Sequence, residues 1–279
     1  MLTDTHCHLD LDQFAQDRPD VIKRAQEAGV ERILIPALNL TSSRSVLNLA
    51  ASQANLFAAI GVHPTEAASW EPGARKALID IYRSTQAPQT NRVVAIGEIG
   101  LDYYWDSSTR ELQQKILKEQ LDLASELGLP VILHCRDRDD DEHGACADDL
   151  IRLLSDWHTG LVNRKDPLAN RPGVWHSFSG RLASALLVIG LNFLIGVTGP
   201  VTYRNAQKRQ ETIHSLPLDR LVLETDAPYQ APHPVRGKRN EPAFVVHIAD
   251  KIAEIYMTTR AQVAALTSIN ASRLFGWGG

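Results

Sequence analysis

Short apolar runs alternate with longer segments whose apolar positions recur every three or four residues, and the alternation continues along the whole chain. Eight short runs predict buried strands: Leu2–His6, Arg32–Pro36, Phe57–Val62, Val93–Glu98, Val131–His134, Gly173–His176, Phe193–Val197 and Arg220–Glu224. Between them the spacing predicts amphipathic helices, among them Arg18–Ala28, Ser43–Gln53 and Arg75–Arg83. The clearest runs from Thr109 to Leu127, with Leu112, Ile116, Leu117, Leu121 and Ala124 on one face, the periodicity that a helical turn imposes. Gly128 follows as a left-handed cap and Pro130 prevents continuation. Beyond Phe244 the pattern predicts a closing helix and a terminal helical cap.

Strands alternating with helices build parallel βαβ units. An open doubly wound sheet would alternate too. Eight strands in 279 residues favour the closed solution, an α/β (β/α)8 TIM barrel with one domain over residues 1–279. No repeat, low-complexity tract or linker marks a second domain. No charged residue falls between Leu182 and Val201, a stretch long enough for a membrane span. Ser184, Gly190, Asn192, Gly196 and Pro200 break it into a short helix and a buried strand, so no membrane segment is expected.

Hydrophobic residues make up 44% of the chain and charged residues 22%, an ordinary balance that excludes disorder as a description of the whole. The net charge of -4 argues against a protein that coats DNA wholesale but allows a basic rim around a cleft. Cys7, Cys135 and Cys146 are too few and too odd for a disulfide framework. The N-terminal MLTDTHCHLDLDQ has no apolar leader. Both features point to a reducing cytoplasm.

The polar residues that change the picture sit at the C-terminal ends of the predicted strands. Side chains alternate along a strand, so His6 and His8 face one way and Cys7 the other. The same alternation turns Cys135 away between His134 and Arg136. Val94–Gly97 is an apolar run that ends on Glu98, and a carboxylate there is costly unless paired or coordinated. His63 ends the third strand, His176 the sixth, and Glu224 and Asp226 the eighth. Taken singly these signals are weak, since a lone pair of histidines is more often hydrogen-bonded than metal-bound. Jointly, His6, His8, His134, His176, Glu98 and Asp226 face one barrel mouth. Imidazole and carboxylate ligands suit zinc, manganese, iron or nickel, and a more oxygen-rich share suits magnesium. Six candidates exceed one open tetrahedral site. Two metals about 3.5–4 Å apart, bridged by Glu98, accommodate them.

The strings TDTHCHLD, GVHP, GEIGLDYYWD, PVILHCRD, WHSFSG, LETDAPYQAP and RGKRNEP resemble the TatD family of metal-dependent deoxyribonucleases, over essentially the whole chain. The resemblance implies a barrel that hydrolyses phosphodiester bonds as a 3′→5′ exonuclease, with single-stranded DNA or DNA 3′ ends as substrate. It implies two divalent metal ions, Mg, Mn or Zn, with Ni admissible. One would be held by His6, His8, Glu98 and Asp226, the other by Glu98, His134 and His176. His63 resembles a phosphate- or substrate-contacting position and Arg136 a phosphate clamp. Asp226, with Glu98, would be catalytic, Asp226 orienting a water and accepting its proton. Asp102 either fixes the loop, orients a ligand histidine or takes part directly. A metal-dependent esterase or amidohydrolase, such as a D-aminoacyl-tRNA deacylase, is the alternative. The bridging lysine of many binuclear amidohydrolases has no counterpart beside Glu98. A non-catalytic metal-binding platform fits the complete ligand set least.

Two stretches depart from the family pattern. Asp137–His143 is acidic and reads as a solvated loop, an extra cation site or a repulsive rim. Thr159–Pro172, with Arg164, Lys165 and Arg171, reads as a variable surface loop. The cluster Arg236, Lys238 and Arg239 is a solvated turn or a source of positive charge beside the metals. Tyr103, Tyr104 and Trp105 either stack on a base or pack the barrel lip. His143, His158, His214, His233 and His247 read as surface or packing residues, with His233 nearest the site in sequence.

Overall fold

The computed structural model describes residues 1–85, 92–105, 107–138 and 144–277. Eight parallel strands pair in sequence order, β1 (Leu2–Asp4), β2 (Val30–Pro36), β3 (Leu56–Ile60), β4 (Val93–Asp102), β5 (Val131–Arg136), β6 (Gly173–Trp175), β7 (Leu194–Val197) and β8 (Leu221–Leu223). A helix follows each: α1 (Arg18–Glu27), α2 (Leu40–Ala51), α3 (Ala74–Arg83), α4 (Arg110–Leu127), α5 (Ala145–Asn163), α6 (Leu182–Gly190), α7 (Gln207–His214) and α8 (Val245–Ile255), with α9 (Arg260–Phe275) appended. This is the (β/α)8 barrel expected from the alternation. Helix α4 begins where the Thr109 side chain accepts from Leu112 N–H, and ends at Gly128 with φ +65°.

Strand β4 runs past its predicted end at Glu98. Its pairing with β5 shifts register between Ile96 and Ile99, then resumes as Ile99↔Leu133, Gly100↔His134, Leu101↔Cys135 and Asp102↔Arg136. Ile99 and Leu101 are fully buried, so the ladder continues, and the irregularity re-aims Glu98. At Gly100, φ is +148° and a side chain would strike the His134 carbonyl. Strands β1, β6 and β8 stop short of His6, His176 and Glu224. Ser177 (φ +47°) and Asp226 (φ +56°) are left-handed, a conformation that ends strand pairing and turns side chains into the mouth.

The seam between β8 and β1 is closed by the loops that leave them. Thr5 N–H donates to Leu223 O (3.0 Å), Asp226 N–H to His6 O (2.9 Å) and His8 N–H to Ala227 O (2.8 Å). Buried Asp4 accepts from Thr225 N–H (2.9 Å), Thr225 Oγ1 (2.6 Å) and His6 N–H (3.3 Å). Burial pushes the Asp4 carboxyl up to about 7.

One core layer lies between strands and helices. A second joins Leu34, Ile132, Val174, Leu194 and Val222 to Leu274, Phe275 and Trp277, so the end of α9 plugs the N-terminal end of the barrel. The stretch Thr159–Pro172 is not a surface loop. Its first residues complete α5, whose apolar period continues through Trp157 to buried Leu161, and Pro167–Asn170 form one tight turn over buried Leu168 and Ala169. In the acidic window, Asp137 accepts from Cys146 N–H (3.1 Å) and Ala147 N–H (3.3 Å) at the start of α5, while residues 139–143, including His143, lie outside the described residues. Leu182–Val201 divides into α6 and β7, and among the described residues no helix is long and apolar enough to cross a membrane.

Candidate metal centre

The strand ends bring His6, His8, Glu98 and Asp226 to one point. His6 Nε2 lies 3.3 Å from His8 Nε2, 3.2 Å from Glu98 Oε2 and 3.8 Å from Asp226 Oδ1. His8 Nε2 lies 3.8 Å from Glu98 Oε2 and 3.5 Å from Asp226 Oδ1. Ligands about 2.1 Å from a tetrahedral cation stand about 3.4 Å apart, so these separations are those of a coordination shell. Nδ1 of His6 and of His8 is buried without a hydrogen-bond partner among the described residues.

The other Glu98 oxygen faces a second group. Oε1 is 3.0 Å from His134 Nδ1 and 3.8 Å from His63 Nε2, and the His63 and His134 rings stand 4.3 Å apart. His63 follows β3, and its Nδ1 accepts from Thr65 N–H (3.2 Å). His134 Nε2 lies 2.8 Å from Asp102 Oδ2. Asp102 Oδ1 accepts from the N–H groups of Tyr104 and Trp105, both 3.0 Å. Asp102 therefore both fixes its loop and orients His134. His176 stacks on His6 with centroids 3.4 Å apart, and its Nε2 is 3.6 Å from Asp226 Oδ1. Among the described residues, potential ligand atoms within 4.8 Å of one another form three groups, His6–His8–Asp226, His6–Glu98–His176 and His63–Glu98–His134. His63 thus stands closer to the cluster than its substrate-contacting role suggested, and His134 neighbours His63 rather than His176.

Burial and mutual charge set the protonation states. Burial opposes ionisation of Glu98, but His6 and His134 outweigh it and hold the carboxyl well below its ordinary range. Asp226 is likewise lowered despite burial, by His8 and His176. Burial lowers His6, and His176 adds to the effect. Burial and then His134 push His63 down to about 3. His8 rises because Asp226 and Glu98 overcome burial. The same contest raises His134 to about 10 through Asp102 and Glu98, and His176 to about 9 through Glu224 and Asp226.

Glu224 was legible as an acid at a strand end, but its role was not. It is fully buried. Its Oε1 lies 3.0 Å from His176 Nδ1 and accepts from Ser177 N–H (2.5 Å), and Oε2 accepts from Thr5 Oγ1 (3.4 Å). Gly196 of β7 leaves room for it, since a methyl group there would come within 2.7 Å of Glu224 Oε2 and 2.5 Å of its Cδ. Sequence reasoning also missed Gln230, whose Nε2 donates to Asp226 Oδ2 (2.5 Å). Asn240 was missed too. It is fully buried, and its Nδ2 donates to Thr225 O (2.8 Å) and Tyr229 O (2.7 Å), pinning the loop that carries Asp226.

That placement explains RGKRNEP. Arg239 is tied to Asp17 (2.7 Å) and Gln13 O (2.6 Å), and Glu241 to Arg24 (2.6 Å). Arg236 lies over the Tyr203 ring at 4.4 Å. Arg239 is thus a structural cation. His233 is exposed, and buried His158 lies 3.1 Å from Ala169 O through its Nε2. Arg136 lies over the Tyr104 ring at 3.8 Å. The aromatic run divides: Tyr103 is buried and donates to Asp149 (2.9 Å), while Tyr104 and Trp105 are exposed at the lip. Cys7 is buried with Sγ 3.8 Å from Ala227 O, and Cys135 Sγ faces Cys146 Sγ at 3.5 Å.

An imidazole–carboxylate cluster at the C-terminal mouth of a (β/α)8 barrel defines a metal-dependent hydrolase. Residues 3–276 match the family described as TatD related DNase. The chain is 36% identical over 275 residues to the uncharacterised metal-dependent hydrolase YabD of Bacillus subtilis, covering 99% of both chains. It is 36% identical over 279 residues to the 3′-5′ ssDNA/RNA exonuclease TatD of Erwinia amylovora, covering 98% of this chain and 99% of that one. The crystal structure of YjjV, a TatD homologue from Escherichia coli K12, is similar at a TM-score of 0.84 and 33% identity, covering 99% of this chain and 98% of that one. The chain belongs to the TatD-related DNase family, and its reaction is hydrolysis of phosphodiester bonds.

Proposed function

We propose that this protein removes nucleotides from the 3′ end of single-stranded DNA or RNA, with two divalent cations at the barrel mouth. The observation that carries the reading is the division of Glu98, with Oε2 toward His6 and His8 and Oε1 toward His134, which is the orientation of a bridging carboxylate. One cation would be held by His6, His8, Glu98 and Asp226, the other by Glu98 and His134 together with His176, which would reach it from its place beside His6 and Asp226. Bound cations of this kind lower the pKa of water and neutralise charge on the phosphoryl oxygens.

The chain's own groups do the rest. Asp226 is kept ionised and held by Gln230 through Oδ2, so Oδ1 is aimed at the reacting centre and can orient a water and take its proton. Asp102 accepts at His134 Nε2, which leaves Nδ1 toward Glu98. Neutral His63 beside Glu98 contacts the scissile phosphate. Arg136, laid against Tyr104 at the lip, grips its oxygens. Exposed Tyr104 and Trp105 offer faces on which a splayed base stacks.

The relatives named as ssDNA/RNA exonucleases support this substrate over an aminoacyl ester. The test begins with metal analysis of the purified protein. End-labelled single-stranded DNA, single-stranded RNA and duplex DNA are then assayed with each metal restored. Mononucleotides released from the 3′ end of single strands are expected. Cleavage of D-aminoacyl-tRNA without shortening of any nucleic acid end would overturn the assignment.

A further inference from the structure

The plugged end of the barrel holds a cavity of about 540 Å³, and the proposed reaction does not use it. Among the described residues, every polar side chain lining it is a donor: the guanidinium groups of Arg32, Arg92 and Arg171 and the indole of Trp277. No Asp or Glu is among the described residues that line it. The arginines come from equivalent places, within β2 and just before β4 and β6, so alternate strands deliver positive charge to the face opposite the metal centre. Arg92 donates to Ala54 O (3.0 Å), Arg171 to Leu274 O (3.1 Å) and Gly128 O (3.0 Å), and Arg32 to Ser272 Oγ (3.2 Å). A guanidinium has five N–H donors. The carbonyl bonds therefore position Arg92 and Arg171 without neutralising them.

Trp277 supplies the second observation. It is 5% exposed, and its Nε1 is buried with no hydrogen-bond partner among the described residues. A buried donor left unpaired is costly, and an incoming acceptor removes that cost. Phe57 and Phe275 stand 4.9 Å and 4.7 Å from the Trp277 ring and complete an aromatic wall. A second cavity on the same face shares Arg171 and adds Arg220 and Arg273, but Asp219 lies among them. Among the described residues, an acid-free lining distinguishes the Trp277 cavity.

We propose that this cavity is a binding site for a phosphate monoester, separate from the metal centre. The anion is held by Arg92, Arg171 and the Trp277 indole N–H, and the organic part lies on the aromatic wall. Guanidinium forks match phosphate oxygens two at a time. The volume falls in the range of about 300–1,000 Å³ usual for small-ligand sites, larger than phosphate alone requires.

The experiment uses the full chain carrying Glu98→Ala, so that phosphate binding at the metal centre does not interfere. Inorganic phosphate and deoxyadenosine 5′-monophosphate are titrated calorimetrically at constant ionic strength. One equivalent is expected for the monophosphate, and phosphate alone binds more weakly if the aromatic wall contributes. Adding Arg92→Lys or Trp277→Phe, both of which keep the packing, is expected to weaken binding at least tenfold. In the otherwise native chain these two substitutions leave kcat and KM on single-stranded DNA unchanged. Absence of binding to the Glu98→Ala protein, or binding indifferent to both substitutions, overturns the proposal.

Discussion

Gly196→Ala tests whether a glycine in β7 exists to seat the carboxylate behind His176. In a strand interior this exchange is ordinarily neutral or favourable, because glycine loses more backbone freedom on folding, about 0.5–1 kcal/mol. Here the added methyl would stand 2.5 Å from Glu224 Cδ, against the 3.4 Å at which ordinary contact begins. The carboxylate must therefore retreat by about 1 Å to restore van der Waals separation. Such a shift lengthens both the 3.0 Å approach to His176 Nδ1 and the 2.5 Å bond from Ser177 N–H. A hydrogen bond to a charged group, such as that from Ser177 N–H, contributes about 1.5–3 kcal/mol, and the charge pairing with His176 weakens along with it. Losing the carboxylate behind a ligand histidine costs about 10–100-fold in metal affinity or activity. We expect Gly196→Ala to weaken binding of the cation at His176 by that factor while the first cation stays bound. Glu224→Gln, which keeps the shape and removes the charge, should do the same without the steric displacement. The assay is stepwise metal titration of chelator-stripped protein, with bound metal and nuclease turnover read together. If Gly196→Ala binds two equivalents with wild-type affinity, Glu224 has no part in orienting His176.

Glu98→Ala should reduce turnover roughly 10³-fold, equivalent to several kcal/mol of transition-state stabilisation, with little change in the melting temperature of chelated protein; more than a tenth of wild-type activity would remove Glu98 from the site. Replacing Cys7 and Cys135 together by Ser should leave the metal content unchanged, whereas loss of an equivalent would show that one of them is a ligand. His134 and His176, raised to about 10 and about 9, are protonated near neutral pH without metal, so loading should release protons, measurable as buffer-dependent heats of binding. The same shifts stabilise the metal-free fold fully below the unfolded histidine value of about 6.5, and that contribution is lost as pH rises through 9 and 10; a metal-free melting temperature that does not fall over that window would refute the assignment. Arg239→Ala should lower the melting temperature through its lost bond to Asp17 and leave the salt slope of DNA binding unchanged, because its charge is already matched.

The barrel and the histidines of its mouth were legible because both depend on periodicity: strands of period two, helices of period 3.6, and polar residues at the end of each apolar run. What followed those ends was not. The apolar run reads as ending at Glu98, yet pairing with β5 resumes beyond the irregularity there, through Ile99, Gly100, Leu101 and Asp102. The ends of β6 and β8 were placed too far along, since nothing local announces left-handed Ser177 and Asp226. Charge in RGKRNEP drew attention to Arg236, Lys238 and Arg239, while the residue that holds the loop carrying Asp226 is the uncharged Asn240 beside them. Glu224 and Asp226 are the same chemistry two residues apart. Only the packing of β7 against Glu224 shows which one lies behind His176 and which one faces the mouth.

The seam between β8 and β1 makes the metal centre a fastener between the two ends of the polypeptide. His6 and His8 lie just beyond β1 and Asp226 just beyond β8, and the hydrogen bonds that close the barrel pass through these same residues. A cation shared by the three would close a loop of most of the chain, the kind of cross-link whose effect on the unfolded ensemble grows with loop length. Occupancy at a thousand times the dissociation constant would add about 4 kcal/mol to the folded state. Chelation would then act first as an unzipping of the barrel along that seam, with hydrogen exchange rising in β1 and β8 while β3, β4 and β5 stay protected. A circular permutant that joins the two termini and opens the ring at another loop would put His6 and Asp226 on one shorter connection, so the same cation would close a much smaller loop and fasten the fold less.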